Sequence, residues 1–498
     1  MSMLSPEELA RLAPAESLFP SPIPVQSVSS DEFMPGPQTP RQREFEARVK
    51  EMGKRTARRL GMSRRRFFQT AAGMATAFLA MNDTYGPLFG VSRAEAETPE
   101  RADERAARLS GQFIMDMHTH FLRPGTRITT FIAQRNAVGK AGWNPSLGGK
   151  QQTVDDLMFQ NYLKEIYLDS DTKVALISGA PSEVPEDWFL TNEMKAQARA
   201  DVNGLAGTKR MMSHAIFTPG YDGWMEQMER AIAELKPDSM KGYTIGDNTH
   251  KELSKHPWRM DDEKLVYPAY ERFVKAGLRN VCVHKGLFPP SVEKQFPHLL
   301  AYSDVRDVAK AAKDWPQLNF IIYHGGYRFA GGGTVEDAWR QFEETGRIEW
   351  ITDLSEIPGK HGVTNVYADV GQLFAQTTVA DPRVSAVMMG QLIKGMGADH
   401  VCWGTDAIWT GSPQWQIEAL RRLEIPDDLQ RKYGLAPLGP ADGPVKNAVF
   451  GGNNARLYNF RPEQRAALDD DGIARYKARY VAEGAGRTNL AYGYALRG

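Results

Sequence analysis

Two histidines, spaced two residues apart, close a short apolar run near residue 113. The run 113–120 ends in an Asp-x-His-x-His pattern formed by Asp116, His118 and His120. If the run is a β-strand, side chains alternate between its two faces, so both imidazoles point to one side, with Asp116 one step deeper. Two imidazoles on one face are half of a metal site, although two histidines in a loop could share this spacing. The remaining ligands must come from elsewhere in the chain.

The element pattern around this run predicts a barrel. Between about residues 112 and 460, short apolar runs alternate with segments of helical character, including 224–235, 268–276, 304–313 and 385–396. Eight strands with helical crossovers predict an α/β fold, a (β/α)₈ TIM barrel, rather than a doubly wound sheet. No GxGxxG opens a helix, and the glycines at 331–333 are interpreted as a flexible loop. The predicted strands are 113–120, 173–178, 211–217, 239–245, 280–284, 319–324, 365–370 and 400–406.

Chemically useful side chains fall at the carboxyl ends of these strands. His284 ends the fifth strand, His324 the sixth and Asp406 the eighth. Barrel active sites lie at this end, so the positions predict one metal site shared with the first strand. Lys241 lies in the fourth strand. His214, in the third, is interpreted as a core or supporting residue.

Composition excludes several other classes of protein. The 498 residues include 61 basic and 61 acidic side chains, so no net charge would attract nucleic acid. Hydrophobic content of 42% and charged content of 24% are ordinary for a globular protein. Cys282 and Cys402 form no CxxC pair, which argues against a disulfide framework or a cysteine zinc site. Both are interpreted as core residues.

The first 96 residues differ from the rest. Prolines interrupt the first forty positions, and residues 1 to about 62 are predicted to be disordered. Arg64 and Arg65 precede two phenylalanines, an apolar stretch at 70–81 and an Ala-Glu-Ala sequence ending at Ala96. This resembles a twin-arginine signal peptide cleaved near Glu97, so the twin-arginine export machinery is an expected partner, with a periplasmic or secreted product. The apolar stretch is too short for a stable membrane span, and the alternative is a basic helix of a cytoplasmic protein.

The motifs together resemble the amidohydrolase superfamily. Within it they are similar to the amidohydrolase-related group that includes aminocarboxymuconate-semialdehyde decarboxylase-like enzymes. The likeness runs from about residue 112 to 460. The motifs that carry it are Asp116-Met117-His118-Thr119-His120, Val283-His284-Lys285-Gly286, Tyr323-His324-Gly325-Gly326, Gly404-Thr405-Asp406 and Asn454-Ala455-Arg456-Leu457-Tyr458.

This resemblance implies a mononuclear metal enzyme. His118, His120, His284 and Asp406 would bind one divalent ion, with zinc expected, and His324 would act beside it as an acid/base or electrostatic residue. In other branches the sixth-strand histidine is itself a ligand. Asp406 would also take the proton of an activated water that attacks an ester, lactone or amide.

Two other functions remain open at this stage. The same residues suit a non-oxidative decarboxylase of an aromatic or unsaturated carboxylic acid. A non-catalytic binding barrel is the third possibility, and it is disfavoured because no expected ligand is missing.

Several further residues have predicted roles around the site. In two-metal branches a lysine at the end of strand four is carboxylated and bridges the ions, so Lys241 could hold a second ion, although one metal is expected. Asp369 could orient a ligand ring or cap a helix. Loop side chains predict an aromatic or carboxylate-bearing small-molecule substrate, namely Arg123, Arg127, Trp143, Tyr243, Phe288, Arg328 and Trp409.

The predicted domain organisation has three parts. Residues 1–96 form the disordered leader with the signal peptide, 97–460 the barrel and 461–498 a helical extension. The extension is expected to pack outside the barrel, on the body of the protein or on a second subunit in a homo-oligomer.

Overall fold

Eight parallel strands form one sheet in which spatial order follows chain order. The computed structural model describes residues 21–25, 37–126, 129–141, 149, 153–329 and 334–485. Nearly every strand residue is buried, which is why the strands read as continuous apolar runs rather than alternating ones. The strands are β1 Met115–Thr119, β2 Val174–Ile177, β3 Met211–Ile216, β4 Ser239–Tyr243, β5 Asn280–His284, β6 Asn319–Tyr323, β7 Val366–Asp369 and β8 Val401–Cys402.

Contacts between the last and first strands close the sheet into a barrel. The Met117 N–H donates to the Trp403 carbonyl at 3.1 Å, and the Asp406 N–H donates to the His118 carbonyl at 2.8 Å. The pairing of β1 with β2 changes register between Asp116 and Thr119. The predicted TIM barrel is confirmed, and Cys282 and Cys402 are buried and free, as predicted.

Helices connect the parallel strands, as parallel pairing requires. The longer ones are α1 Pro40–Arg59, α2 Ala71–Tyr85, α3 Pro99–Leu109, α4 Thr129–Lys140, α5 Asn192–Ala206, α6 Trp224–Arg230, α7 Tyr267–Lys275, α8 Val308–Asp314, α9 Thr334–Thr345, α10 Ile351–His361, α11 Gly371–Ala380, α12 Pro382–Met396, α13 Gln414–Arg422, α14 Asp427–Tyr433 and α15 Gly472–Ala482. Shorter ones are Arg64–Phe67, Arg93–Glu97, Phe159–Leu163, Pro290–Gln295, Leu300–Ser303, Pro444–Asn447, Asn453–Leu457 and Pro462–Ala466.

Residues 37–109, which we call the N-terminal arm, are folded. α1 begins at a capping box, in which the Thr39 side chain accepts from the Gln42 N–H and the Gln42 side chain accepts from the Thr39 N–H. Phe45, Val49 and Met52 follow at spacings of four and three, and all three are buried. The predicted disorder before residue 62 is therefore wrong for Pro40–Arg59.

The N-terminal arm packs against the last third of the barrel. The Gly90 N–H donates to the Arg422 carbonyl at 2.7 Å, and the Glu424 N–H donates to the Leu88 carbonyl at 2.8 Å. Arg422 forms an ion pair with Glu95 at 2.6 Å, and both side chains are largely buried. The predicted cleavage sequence at 94–96 therefore lies in the interface between the arm and the barrel.

Export through the twin-arginine machinery stays a prediction. Arg65 and Arg66 are exposed, whereas Phe67 and Phe68 are buried. Within the described part of the chain, no helix is both long enough and apolar enough to cross a membrane.

Conservative substitutions test the export signal. If it functions, replacing Arg64 and Arg65 with lysine is expected to keep the protein in the cytoplasm, measured by fractionation and immunoblotting. The matched control replaces Arg55 and Arg58, two exposed arginines of α1, with lysine and should be exported normally. Normal secretion of the Arg64 and Arg65 double variant would contradict the signal.

The described part of the C-terminal extension, residues 461–485, is helical and lies on the body of the barrel. α15 contacts α5, and Asp471 receives a bidentate ion pair from Arg210 with distances of 2.6 and 2.9 Å. The Thr208 hydroxyl also donates to Asp471 at 2.6 Å. These contacts hold residues 461–485 against the outside of the barrel.

Candidate metal centre

Three donor atoms converge at the carboxyl end of the barrel. His118 and His120, at the end of β1, bring their Nε2 atoms to 3.1 Å from each other. Asp406, in the loop after β8, places Oδ1 3.2 Å from both nitrogens. All three side chains are buried. The structure therefore joins three of the four predicted ligands at one point.

Asp369, at the end of β7, sets the orientation of the His118 ring. Its Oδ2 lies 2.9 Å from His118 Nδ1. When Asp369 is ionised, its carboxylate only accepts, so Nδ1 carries the proton and Nε2 presents its lone pair to Asp406 Oδ1. Two electron-pair donors 3.2 Å apart repel each other unless a cation lies between them. The contact confirms the ring-orienting alternative for Asp369, and the donor set fits a bound cation.

The spacing of the donors also suits a divalent ion. An ion with bonds of about 2.1 Å holds neighbouring ligands about 3.0 Å apart in octahedral and about 3.4 Å apart in tetrahedral coordination. The observed separations of 3.1 and 3.2 Å lie between these values. The triangle is therefore compatible with both geometries.

Gly404 provides the space in which this arrangement forms. A Cβ added to Gly404 would lie 2.0 Å from Asp369 Oδ1 and 2.6 Å from His118 Cβ. Any other residue would displace the aspartate or the histidine that it orients. This close approach explains the glycine of the Gly404-Thr405-Asp406 motif.

Asp116 supports the site from below, as predicted. Its Oδ1 accepts hydrogen bonds from the backbone N–H groups of His118 at 3.0 Å and Thr405 at 3.1 Å. The Thr405 hydroxyl donates to Oδ2. Burial raises the pKa of Asp116 to about 7, and these hydrogen bonds limit the rise. Asp116 thus joins β1 to the loop that carries Asp406.

Electrostatics keep the two imidazoles neutral. Burial lowers the pKa of His118 and of His120 well below the usual value, and the charge of Lys241 lowers both further. Neutral imidazole is the form that binds a metal. Burial and the charge of Asp116 raise the pKa of Asp369, and Lys241 opposes that rise.

His324 and His284 stand beside the three donors. His324 opens the turn His324–Gly326 after β6, and its Nδ1 accepts from the Gln372 N–H at 3.2 Å. In the neutral ring Nε2 therefore carries the proton. The centroid of the His284 ring is 4.9 Å from that of His324 and 4.8 Å from that of Tyr243. The predicted ligand role of His284 stays a prediction.

Lys241 places a buried cation at the edge of the site. Its Nζ lies 3.3 Å from His118 Nε2. The ammonium group also lies over two aromatic faces, 4.2 Å from the centroid of Tyr323 and 4.8 Å from that of Tyr243. Such a group can hold an anionic part of a substrate. The second ion predicted as a minor alternative at Lys241 stays a prediction.

Aromatic rings form the wall of the site. Trp409 stacks on His120 with centroids 5.4 Å apart, and Phe189 meets Trp409 edge to face at 5.3 Å. Tyr323 lies against His118 at 4.0 Å. Sequence reasoning assigned no site role to Phe189 or Tyr323. The position of Tyr323 directly before His324 could have indicated a role in the site. Nothing in the sequence of the loop around Phe189 indicates one.

Other residues predicted to contact substrate have different partners. Arg123 donates to the backbone carbonyls of Pro185, Glu186 and Trp188, so it holds a loop. Arg328 pairs with two glutamates and lies over Trp350. Phe288 is buried in the main core. The predicted contacts at positions 127 and 143 and the predicted loop at 331–333 lie outside the described residues.

The barrel and its His-His-Asp cluster define a metal-binding barrel protein. The profile of the amidohydrolase family matches residues 115–460, which is most of the chain. The chain therefore belongs to the amidohydrolase family. No curated protein matches the sequence.

Several solved structures resemble the barrel. A 5-carboxyvanillate decarboxylase from Sphingomonas paucimobilis is 14% identical, with a TM-score of 0.40, over 70% of this chain and 100% of that one. A putative 2-pyrone-4,6-dicarboxylic acid hydrolase from Pseudomonas putida is 14% identical, with a TM-score of 0.39, over 70% and 98%. A manganese-bound dihydroxybenzoic acid decarboxylase from Polaromonas is 16% identical, with a TM-score of 0.40, over 71% and 99%. These values assign neither a substrate nor a reaction to the chain.

Proposed function

We propose that the protein is a metal-dependent hydrolase that acts on an ester, lactone or amide of a small molecule. The observation that carries the proposal is the approach of Asp406 Oδ1 to within 3.2 Å of two imidazole nitrogens. A divalent ion held by these donors would supply a Lewis acid and would bring the pKa of water toward neutrality. We infer zinc, because two imidazoles and a carboxylate are among its usual ligands.

The side chains divide the remaining work. Asp406 is positioned to accept the proton of the attacking water, since its carboxylate supplies one of the three donor atoms. His324 offers its Nε2 proton to the leaving group or to the developing oxyanion. Asp369 and Gly404 keep the His118 ring in place during these steps.

The surroundings favour a planar, anionic substrate. Trp409 and Phe189 present aromatic surface beside His120. Lys241 adds a positive charge beside the other histidine, with its Nζ 3.3 Å from His118 Nε2. An aromatic ring that carries a carboxylate would use both features, through stacking and through an ion pair.

The same two features support a second candidate, a non-oxidative decarboxylase. A carboxylate held by Lys241 and the ion could leave as carbon dioxide while His324 delivers a proton to the ring carbon. A buried lysine ammonium beside the donor triangle is the specific observation in its favour.

Paired assays separate the two reactions. The zinc-loaded full-length protein is expected to hydrolyse carboxyphenyl esters or aromatic lactones and to leave the corresponding hydroxybenzoic acids intact, as measured by proton NMR. Carbon dioxide release from the acids, without hydrolysis of the esters or lactones, would contradict the hydrolase and support the decarboxylase. A metal-loaded protein that turns over neither class would support a binding barrel.

A substitution at Lys241 sharpens this assay. Lys241→Met is expected to raise KM for carboxylate-bearing esters about tenfold or more beyond any change in KM for neutral esters, because only the charged substrates lose an ion pair. An equal rise for both ester classes would contradict the role of Lys241 as an anion-binding group.

A further inference from the structure

A chain of buried polar groups crosses the barrel beneath the metal centre. His214, in β3, is 1% exposed and contacts two hydroxyl groups. Its Nε2 lies 2.7 Å from the Tyr323 hydroxyl, and its Nδ1 lies 2.8 Å from the Ser239 hydroxyl. Ser239 continues to the hydroxyl of Tyr458 at 3.0 Å. At the other end, the Tyr323 hydroxyl donates to the carbonyl of Met117 at 2.7 Å.

The terminal carbonyl sets the direction of every hydrogen bond in this chain. Because the Met117 carbonyl only accepts, the Tyr323 hydroxyl donates its single proton to that carbonyl. It must therefore accept from His214 Nε2–H. Burial and the charge of Lys241 lower the pKa of His214 well below the usual value, so the ring is neutral. Its Nδ1 then accepts from Ser239, and Ser239 accepts from the hydroxyl of Tyr458. The network thus assigns one tautomer, with the proton on Nε2.

The hydrogen-bonded chain ends beside His118, the first proposed metal ligand. The Tyr323 ring lies against the His118 ring with centroids 4.0 Å apart. The carbonyl that Tyr323 anchors belongs to Met117, the residue before His118. Both contacts act where the pairing of β1 with β2 changes register, so the ladder to β2 does not hold Met117 and His118 there. Tyr323 therefore fixes the backbone and the ring of His118 together.

We propose that His214 is a positioning residue that fixes His118 through Tyr323, so that Tyr458 in the C-terminal segment and the metal centre are joined by one hydrogen-bonded chain. The inference rests on the proposed metal site and deepens it. If these hydrogen bonds only satisfied buried polar groups, they would stabilise the fold without changing the affinity for metal.

Metal affinity distinguishes these two roles. His214→Leu removes both hydrogen bonds of the ring, and Tyr323→Phe keeps the ring beside His118 but removes its hydroxyl. Both are expected to lower the affinity for Zn²⁺ by about 10- to 100-fold, the usual cost of losing a group that orients a ligand. The measurement is competition with a chelator, and urea unfolding of the metal-free protein gives stability separately.

Two further variants control this experiment. Tyr458→Phe, at the partly exposed end of the chain, is the mildest change and should lower Zn²⁺ affinity several-fold even if His214→Leu fails to fold. Ser385→Ala removes a buried hydroxyl between α11 and α12, outside the hydrogen-bonded chain, and should leave the affinity unchanged. Lower stability with wild-type Zn²⁺ affinity in the His214, Tyr323 and Tyr458 variants would overturn the proposal.

Nitrogen-15 NMR of histidine-labelled protein provides a test that needs no bound metal. His214 should show the signature of the Nε2–H tautomer, and the His118 resonances should shift in Tyr458→Phe. An Nδ1–H tautomer at His214, or unchanged His118 resonances, would overturn the proposal. A wild-type protein that bound no Zn²⁺ would instead refute the proposed function, so the two failures are distinguishable.

Discussion

His118→Ala is expected to lose the bound metal and to lower kcat/KM at least about 1,000-fold, a loss of about 4 kcal/mol of transition-state stabilisation. The substitution removes the nitrogen that faces both His120 Nε2 and Asp406 Oδ1. It also leaves the Asp369 carboxylate without its ring partner. Elemental analysis should find about one zinc per wild-type chain and almost none in the variant.

Asp406→Asn separates the two roles of this carboxylate. The amide keeps the size of the side chain but cannot take a proton from water, so turnover should fall as far as in His118→Ala while more of the metal is retained. His361→Ala, at an exposed histidine in the last turn of α10, is the matched control and should behave as wild type.

Thermal unfolding gives an independent measure of the same site. Zinc at 100 times its Kd should stabilise the wild-type chain by about 2.7 kcal/mol and should have little effect on His118→Ala. A wild-type chain that holds no metal and unfolds at one temperature with or without zinc would contradict the metal centre.

Sequence patterns predicted the strands best where the backbone is regular. The predicted β5 has the observed bounds, Asn280–His284. The predicted β8, 400–406, is regular only over Val401–Cys402, because the chain then leaves the strand to place Asp406 with a φ of +58°. His324 likewise leaves β6 with a φ of +57°. Alternation along a strand identifies such residues as neighbours but cannot give their final orientation.

The supporting residues were harder to predict than the ligands. Candidate ligands belong to a few side-chain types at strand ends, so His118, His120 and Asp406 could be singled out as candidate site residues from position alone. Tyr323 and Phe189 act through ring contacts that depend on how separate strands and loops pack in three dimensions. No spacing in the sequence records those contacts.

The helix α1, Pro40–Arg59, was missed for a physical reason. Phe45, Val49 and Met52 form a helical stripe, but basic residues between them make the segment resemble an unfolded leader. α2 is rich in alanine, and a short apolar helix of this kind suits both a signal peptide and a close-packed core. Composition cannot distinguish the two, because the difference lies in what the helix packs against.

Removing the arm is the second change with a large expected effect. A chain that begins at Glu97 should be insoluble or unfolded at 25 °C. Among the side chains that it loses, Phe45, Val49, Phe67, Phe78 and Leu88 are each at most 2% exposed. At about 1.5–3 kcal/mol for each buried side chain, the loss matches the whole net stability of a typical domain, about 5–15 kcal/mol.

The damage should reach the metal centre. All ten residues of α11 are buried, and the arm contributes to covering this helix, with Gln42 Nε2 donating to the Val379 carbonyl at 3.4 Å. α11 begins two residues after Asp369, which orients His118, and the Gln372 N–H binds His324. Without the arm, α11 would therefore no longer hold Asp369 and His324 in position.

Two shortened chains and one cleaved full-length chain test the structural role of the arm by circular dichroism, thermal unfolding and zinc content. A chain that begins at Pro37 keeps the arm and is the control, and it should keep near wild-type zinc content and lose far less stability than the chain from Glu97. In a full-length chain with a protease site inserted beside Glu97, the cleaved arm should remain bound until denaturant is added. A chain from Glu97 that folds, holds zinc and melts with the wild type would contradict the structural role of the arm. That same result would support the prediction that residues 1–96 are a cleaved leader, because only an arm that the barrel does not need can be removed after export.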